Sequence, residues 1–115
     1  MASYITTGKR SIIEAAFNSD VQRWAKAAGI QAPTVKIHAG RHGSAYNPGR
    51  QRIGVDLGAT RDALVHEFAH HINHITYNGR GHGVTFRIAL VEAATIAYGS
   101  AHGYTWEREY SNIKR

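Results

Sequence analysis

One stretch constrains this chain more than any other: Ala63-Leu64-Val65-His66-Glu67-Phe68-Ala69-His70-His71-Ile72. Residues four apart lie on one face of an α-helix, one turn from each other. On a helix, His66 and His70 can therefore grip one metal ion, and Glu67, one step round, can hold a water beside it. Hydrolysis by an activated water needs that set: neutral imidazoles, an open metal position and a carboxylate to take the proton. The same helix carries Ala63, Leu64, Phe68, Ile72 and Ile75 on more than one side, as a helix crossing under a sheet would. Thr60 is its expected N-cap, Asp62 suits the positive end of its dipole, and its period runs to about Tyr77.

The flanking sequence supplies a scaffold. Ile12, Ile13, Ala16, Phe17, Val21, Trp24, Ala25 and Ala28 recur near the helical period, which predicts a helix over Ser11 to Ala28 with Ser11 as cap and Gly29 as left-handed stop. The stripe of Phe17 and Trp24 reads as core. After Pro33, Thr34-Val35-Lys36-Ile37-His38 alternates as a strand should. Gly40 to Gly43 read as a turn. Ser44-Ala45-Tyr46 and Gln51 to Leu57 read as two further strands, joined through Asn47-Pro48-Gly49-Arg50, where Gly49 can take a positive φ. Beyond the glycine-rich Asn78 to Gly83, Val84 to Ala97 is expected to be a third helix and the most buried one. Tyr104, Trp106 and Tyr110 in the tail after Gly99 are candidates to pack back on the body, and Asn112 to Arg115 are expected to fray. The class is α+β.

Two histidines are one ligand short of the usual three-ligand hydrolytic site. His74 continues the series, but it lies roughly 12 Å along the axis from His66, too far for one ion to reach both. His71 points roughly 100° round from His70 and is expected to face the core or the sheet. Two candidates stay open. His82 stands between Gly81 and Gly83, which let the backbone return close to the helix. Glu92 sits mid-helix among apolar residues, where a carboxylate needs a partner. The chain has no cysteine, so disulfides and thiolate ligands are excluded and any metal must rest on His and carboxylate.

His66-Glu67-x-x-His70 followed by His82-Gly83-x-x-Phe86 resembles the SprT-like zinc metallopeptidases and other minimal zincins. So does the upstream order of helix, strand and hairpin; the resemblance covers about Ser11 to Ala97. It implies a single zincin-like domain over residues 1–115, a Zn2+ ion on His66, His70 and His82, and Glu67 as general base. It further implies cleavage of peptide bonds, with DNA-associated proteins among the substrates. The metzincin pattern is absent: Asn73 and Thr76 stand where that group needs glycine and histidine. For the oxyanion, Tyr98, His102, Tyr104 and Tyr110 are candidate donors. The strand Gln51 to Leu57 is expected to form the sheet edge above the cleft, where an extended peptide could add.

Charge bears on partners. Lys+Arg number 14 against 8 Asp+Glu, a formal +6, which fits an acidic partner such as nucleic acid, although the cations are dispersed in sequence. Arg50 and Arg52 near the expected edge could favour acidic substrates or a nucleic-acid-bound protein, or equally keep that edge from pairing with another chain. The alternative reading is a basic nucleic-acid-binding module in which zinc is structural or vestigial. No segment reads as a membrane span or a secretory leader, so a cytoplasmic location is expected.

Overall fold

A computed structural model describes residues 2–40 and 42–100, with side chains from residue 8 onward. The order is α1 (Ala2–Ala28), β1 (Thr34–His38), β2 (Ala45–Asn47), β3 (Arg52–Asp56), α2 (Arg61–Tyr77) and α3 (Val84–Tyr98). This is an α+β arrangement of three helices and one small mixed sheet. No helix among the described residues is long and apolar enough to cross a membrane.

Helix α1 begins earlier than the apolar period predicts, so Ser11 lies inside it rather than capping it. The costliest residue for a helix before Ser11 is Gly8, and its ~1 kcal/mol does not stop one. Its C-terminal half packs inward through Val21, Trp24 and Ala25, and Gly29 ends it with φ +71°. Two of its polar residues serve the sheet. Asn18 accepts from the amide of Val35 at 2.8 Å and donates to its carbonyl at 2.9 Å. Glu14 accepts from the amide of Ile37 at 2.9 Å. Side chains of α1 thus satisfy the outer edge of β1, an edge that would otherwise invite pairing with another chain.

The sheet order is β1-β3-β2, with β1 and β3 parallel and β2 and β3 antiparallel. This corrects the expected edge. The strand around Ile53 to Val55 is central, and β2 is the edge that faces the cleft. A parallel partner on one side and a hairpin partner on the other leave β3 no open edge. The hairpin turn also differs from expectation: Gln51, not Gly49, takes the positive φ, at +48°. Asn47 Oδ1 accepts from the amide of Arg50 at 3.1 Å and the Gln51 amide donates to the Pro48 carbonyl at 3.3 Å. That places the left-handed residue at the end of the turn, where the chain re-enters the sheet.

Val35 and Ile37 of β1 face Ile53 and Val55 of β3 in register on the buried side, and all four are at most 2% exposed. They meet Leu64, Phe68 and Ile72 of α2 in one core, in which Trp24 and Phe68 pack edge-on at 5.6 Å. Phe86, Ala89, Leu90, Ala93 and Ala94 of α3 close it from the far side. Helix α2, not α3, is the most deeply set, because it lies between the sheet and α3. The outer side of α3 leaves Val84, Ile88 and Val91 exposed at 67, 45 and 47%. Tyr104, Trp106, Tyr110 and the terminal residues from Asn112 lie outside the described residues.

Candidate metal centre

Thr60 caps α2 as its sequence suggests, its hydroxyl accepting from the amide of Ala63 at 3.2 Å. At the other end Asn78 takes φ +50°, and its amide and that of Gly79 both return to the Asn73 carbonyl. This double closure turns the chain sharply, and Gly81 at φ +72° completes the return. His82 is thereby carried back alongside α2.

The result brings three imidazoles together. One ring nitrogen from each of His66, His70 and His82 lies within 4.8 Å of the others, close enough to hold a metal ion. The His70 and His82 Nε2 atoms are 3.0 Å apart. Tetrahedral ligation at ~2.0–2.1 Å from metal to nitrogen would place such atoms ~3.3 Å apart, so the His70–His82 pair needs little movement. Three neutral nitrogens with no thiolate suit zinc or another borderline divalent ion. Phe86, fully buried on the first turn of α3, supports the three rings: it stacks on His70 at 4.3 Å and lies 5.2 Å from His66 and 4.8 Å from His82. Hence the aromatic at the fourth position after His82 sets ring orientation through packing. Glu67 is 5% exposed and lines the same cavity as the histidines.

Other candidates take different places. Glu92 is engaged by the hydroxyl of Tyr77 and is not part of the histidine group. Its mid-helix position is explained by that hydrogen bond. Tyr98 donates to Asp62 at the start of α2, so its hydroxyl is committed away from the cleft. Burial, with that bond second, raises its pKa. His102, Tyr104 and Tyr110 fall outside the described residues.

His71 faces the sheet, as its angle on the helix suggests, and it is fully buried. Its role there is not legible in sequence. Its Nε2 is 2.7 Å from the Gln31 carbonyl, which can only accept, so Nε2 carries the proton. Burial chiefly depresses its pKa, partly opposed by the Gln31 bond and reinforced by nearby His74, and this keeps the ring neutral with Nδ1 as acceptor. The Tyr46 hydroxyl therefore donates to His71 Nδ1, at 2.7 Å. The same oxygen accepts from His74 Nδ1 at 3.1 Å, so His74 is half-buried and bonded. Burial pushes the Tyr46 phenol up to about 12, which keeps it a donor. Through Tyr46 the edge strand is clamped onto α2, one turn from the metal ligands.

The cavity over these groups measures about 340 Å3. One wall is β2 and its turn, with Ser44, Ala45, Tyr46 and Pro48; the other is the return loop, with Gly79, Arg80 and Gly81. Arg80 escapes sequence reasoning, since nothing in its neighbourhood but its two-residue distance from His82 marks it.

No family model, no curated protein and no solved structure matches this chain.

Proposed function

We propose that this chain is a zinc-dependent peptidase of zincin type with SprT-like ligands, and that it hydrolyses peptide bonds in the cavity between β2 and the return loop. The observation that carries the reading is the convergence of His66, His70 and His82 beside the nearly buried Glu67 in one open cavity. His66, His70 and His82 hold the ion. When bound, zinc supplies Lewis-acid chemistry, acidifying water towards a pKa of ~7 and polarising a carbonyl. Glu67 takes the proton from the attacking water and delivers it to the leaving amine. The free side of β2 aligns an extended substrate by backbone pairing, and the Tyr46 clamp keeps that strand in place during the reaction. Phe86 holds the ligand rings in the orientation in which their nitrogens converge.

The test is Glu67→Gln. The variant should bind one zinc ion per chain, measured by elemental analysis after dialysis, and should cleave none of the peptides that the zinc-loaded wild type cuts. Cleavage at the wild-type rate with zinc retained would remove Glu67 from the mechanism. Absence of stoichiometric zinc in the wild type would remove the metal.

A further inference from the structure

We propose that the cleft selects acidic polypeptide segments, with Arg80 as the residue that recognises a carboxylate close to the bond being cut. This rests on the peptidase reading and names its substrate class.

The first observation is where the acidic residues are spent. Glu14 is engaged by the amide of Ile37, Asp56 by the amides of His42 and Gly43, Asp62 by Tyr98 and Glu92 by Tyr77. Asp20 pairs with Arg23 at 2.6 Å and lies 3.8 Å from Arg61. The remaining acid of the described residues, Glu67, lines the cavity as the proposed general base. The acids are committed to backbone amides, tyrosines and one distant arginine pair. None of these five acids forms an ion pair with Arg80 or Arg52 among the described residues.

The second observation is where those cations stand. Arg80 lines the cavity itself and has no carboxylate partner among the described residues. It stands two positions from His82, at most ~7 Å of chain. A substrate strand advances ~3.3 Å per residue, so Arg80 reaches a side chain one or two positions from the bond over the histidines. On the far side of β2, Arg52 and His38 line a second depression that shares Ala45, Tyr46 and Pro48 with the cleft. Arg52 is likewise unpaired by any carboxylate among the described residues. A peptide lying along β2 therefore has a guanidinium on each side and meets Glu67 as the only acid of the cavity wall among the described residues. A carboxylate gains a charge-assisted, two-pronged hydrogen bond there; a lysine side chain meets like charge.

Binding and cleavage test this separately. Three fluorescent peptides of one length and backbone, rich in Asp/Glu, in Ala/Gln or in Lys/Arg, are titrated by anisotropy against zinc-loaded Glu67→Gln. The acidic peptide should bind about tenfold more tightly than the neutral one, and more weakly as salt rises. Adding Arg80→Glu should abolish that preference, while Arg80→Lys should keep part of it. Arg80 is exposed, so these variants should fold, as circular dichroism and zinc content would verify. Equal binding of the three peptides, or a preference that survives Arg80→Glu, overturns the proposal. So does a duplex DNA oligonucleotide that displaces the acidic peptide and binds more tightly, because the cations would then serve nucleic acid. Cleavage by wild-type protein with no acidic preference overturns this inference alone. Acid-selective binding without cleavage of any peptide overturns the peptidase reading instead.

Discussion

Replacing Tyr46 with Phe removes one oxygen and tests the clamp between the sheet edge and α2. The phenol donates to His71 Nδ1 at 2.7 Å and accepts from His74 at 3.1 Å. The two partners lose unequally. His74 is half-buried and can turn to water, at little cost. His71 is fully buried, and its other nitrogen is already held by Gln31, so the ring cannot rotate to find a new partner for Nδ1. Stranding a buried acceptor costs about 1–3 kcal/mol. The phenyl ring itself stays, so no cavity term is added. For a domain near this size, each kcal/mol lowers Tm by about 4–8 °C, so a cost of ~2 kcal/mol predicts a fall of about 8–16 °C. The assay is urea and thermal unfolding of metal-free protein followed by circular dichroism. A double-mutant cycle with His71→Leu isolates the pair: in that background Tyr46→Phe should cost little, giving a coupling of about 1–2 kcal/mol. A loss below ~0.5 kcal/mol for Tyr46→Phe, or strictly additive variants, would refute the proton assignment on which the clamp rests.

Three more expectations bear on the site and its supports. His82→Ala should weaken zinc binding by more than the ~100-fold seen when only an outer partner of a ligand is lost, whereas Glu92→Gln should leave zinc affinity unchanged; competition with a chromophoric chelator reads both, and the reverse pattern would reassign the ligand. Gly79→Ala should loosen the loop that carries His82, because a Cβ there collides with Asn73 Oδ1 and comes within 2.6 Å of Thr85 Oγ1. Overpacking of this kind costs about 1–3 kcal/mol, and unchanged Tm and zinc affinity would show that the loop absorbs it. The amides of His42 and Gly43 hold the Asp56 carboxyl below its usual range. Its folded pKa is thus below its unfolded value, so its contribution is present above the unfolded pKa of ~3.9 and is lost as pH falls through the folded one. Wild type should therefore exceed Asp56→Asn in Tm at neutral pH, and the two should converge in acid; parallel Tm–pH curves would exclude the loop-holding role.

What could be read from the chain was local. His66 and His70 one turn apart, the Thr60 cap, the Gly29 stop and the alternation of Val35 and Ile37 each follow from the geometry of a few consecutive residues. The glycines at 81 and 83 that flank His82 are local as well, and they made it a candidate. Pairing is not local. The two outer strands have no sequence mark that separates edge from centre, so the β1–β3 parallel contact, which makes β2 the wall of the cleft, emerges only when the whole sheet closes. The same holds for buried polar groups. Glu92 could have met a metal, a ligand histidine or an arginine; which partner it meets depends on how α2 and α3 face each other, and Tyr77 takes it. His71 could be placed towards the sheet by its angle on the helix, but its tautomer depends on Gln31 and Tyr46, which are 40 and 25 residues away. Periodicity specifies which face of an element is buried. Only tertiary packing decides which polar atoms meet across that face, because each must find its partner among groups that the folded chain brings near.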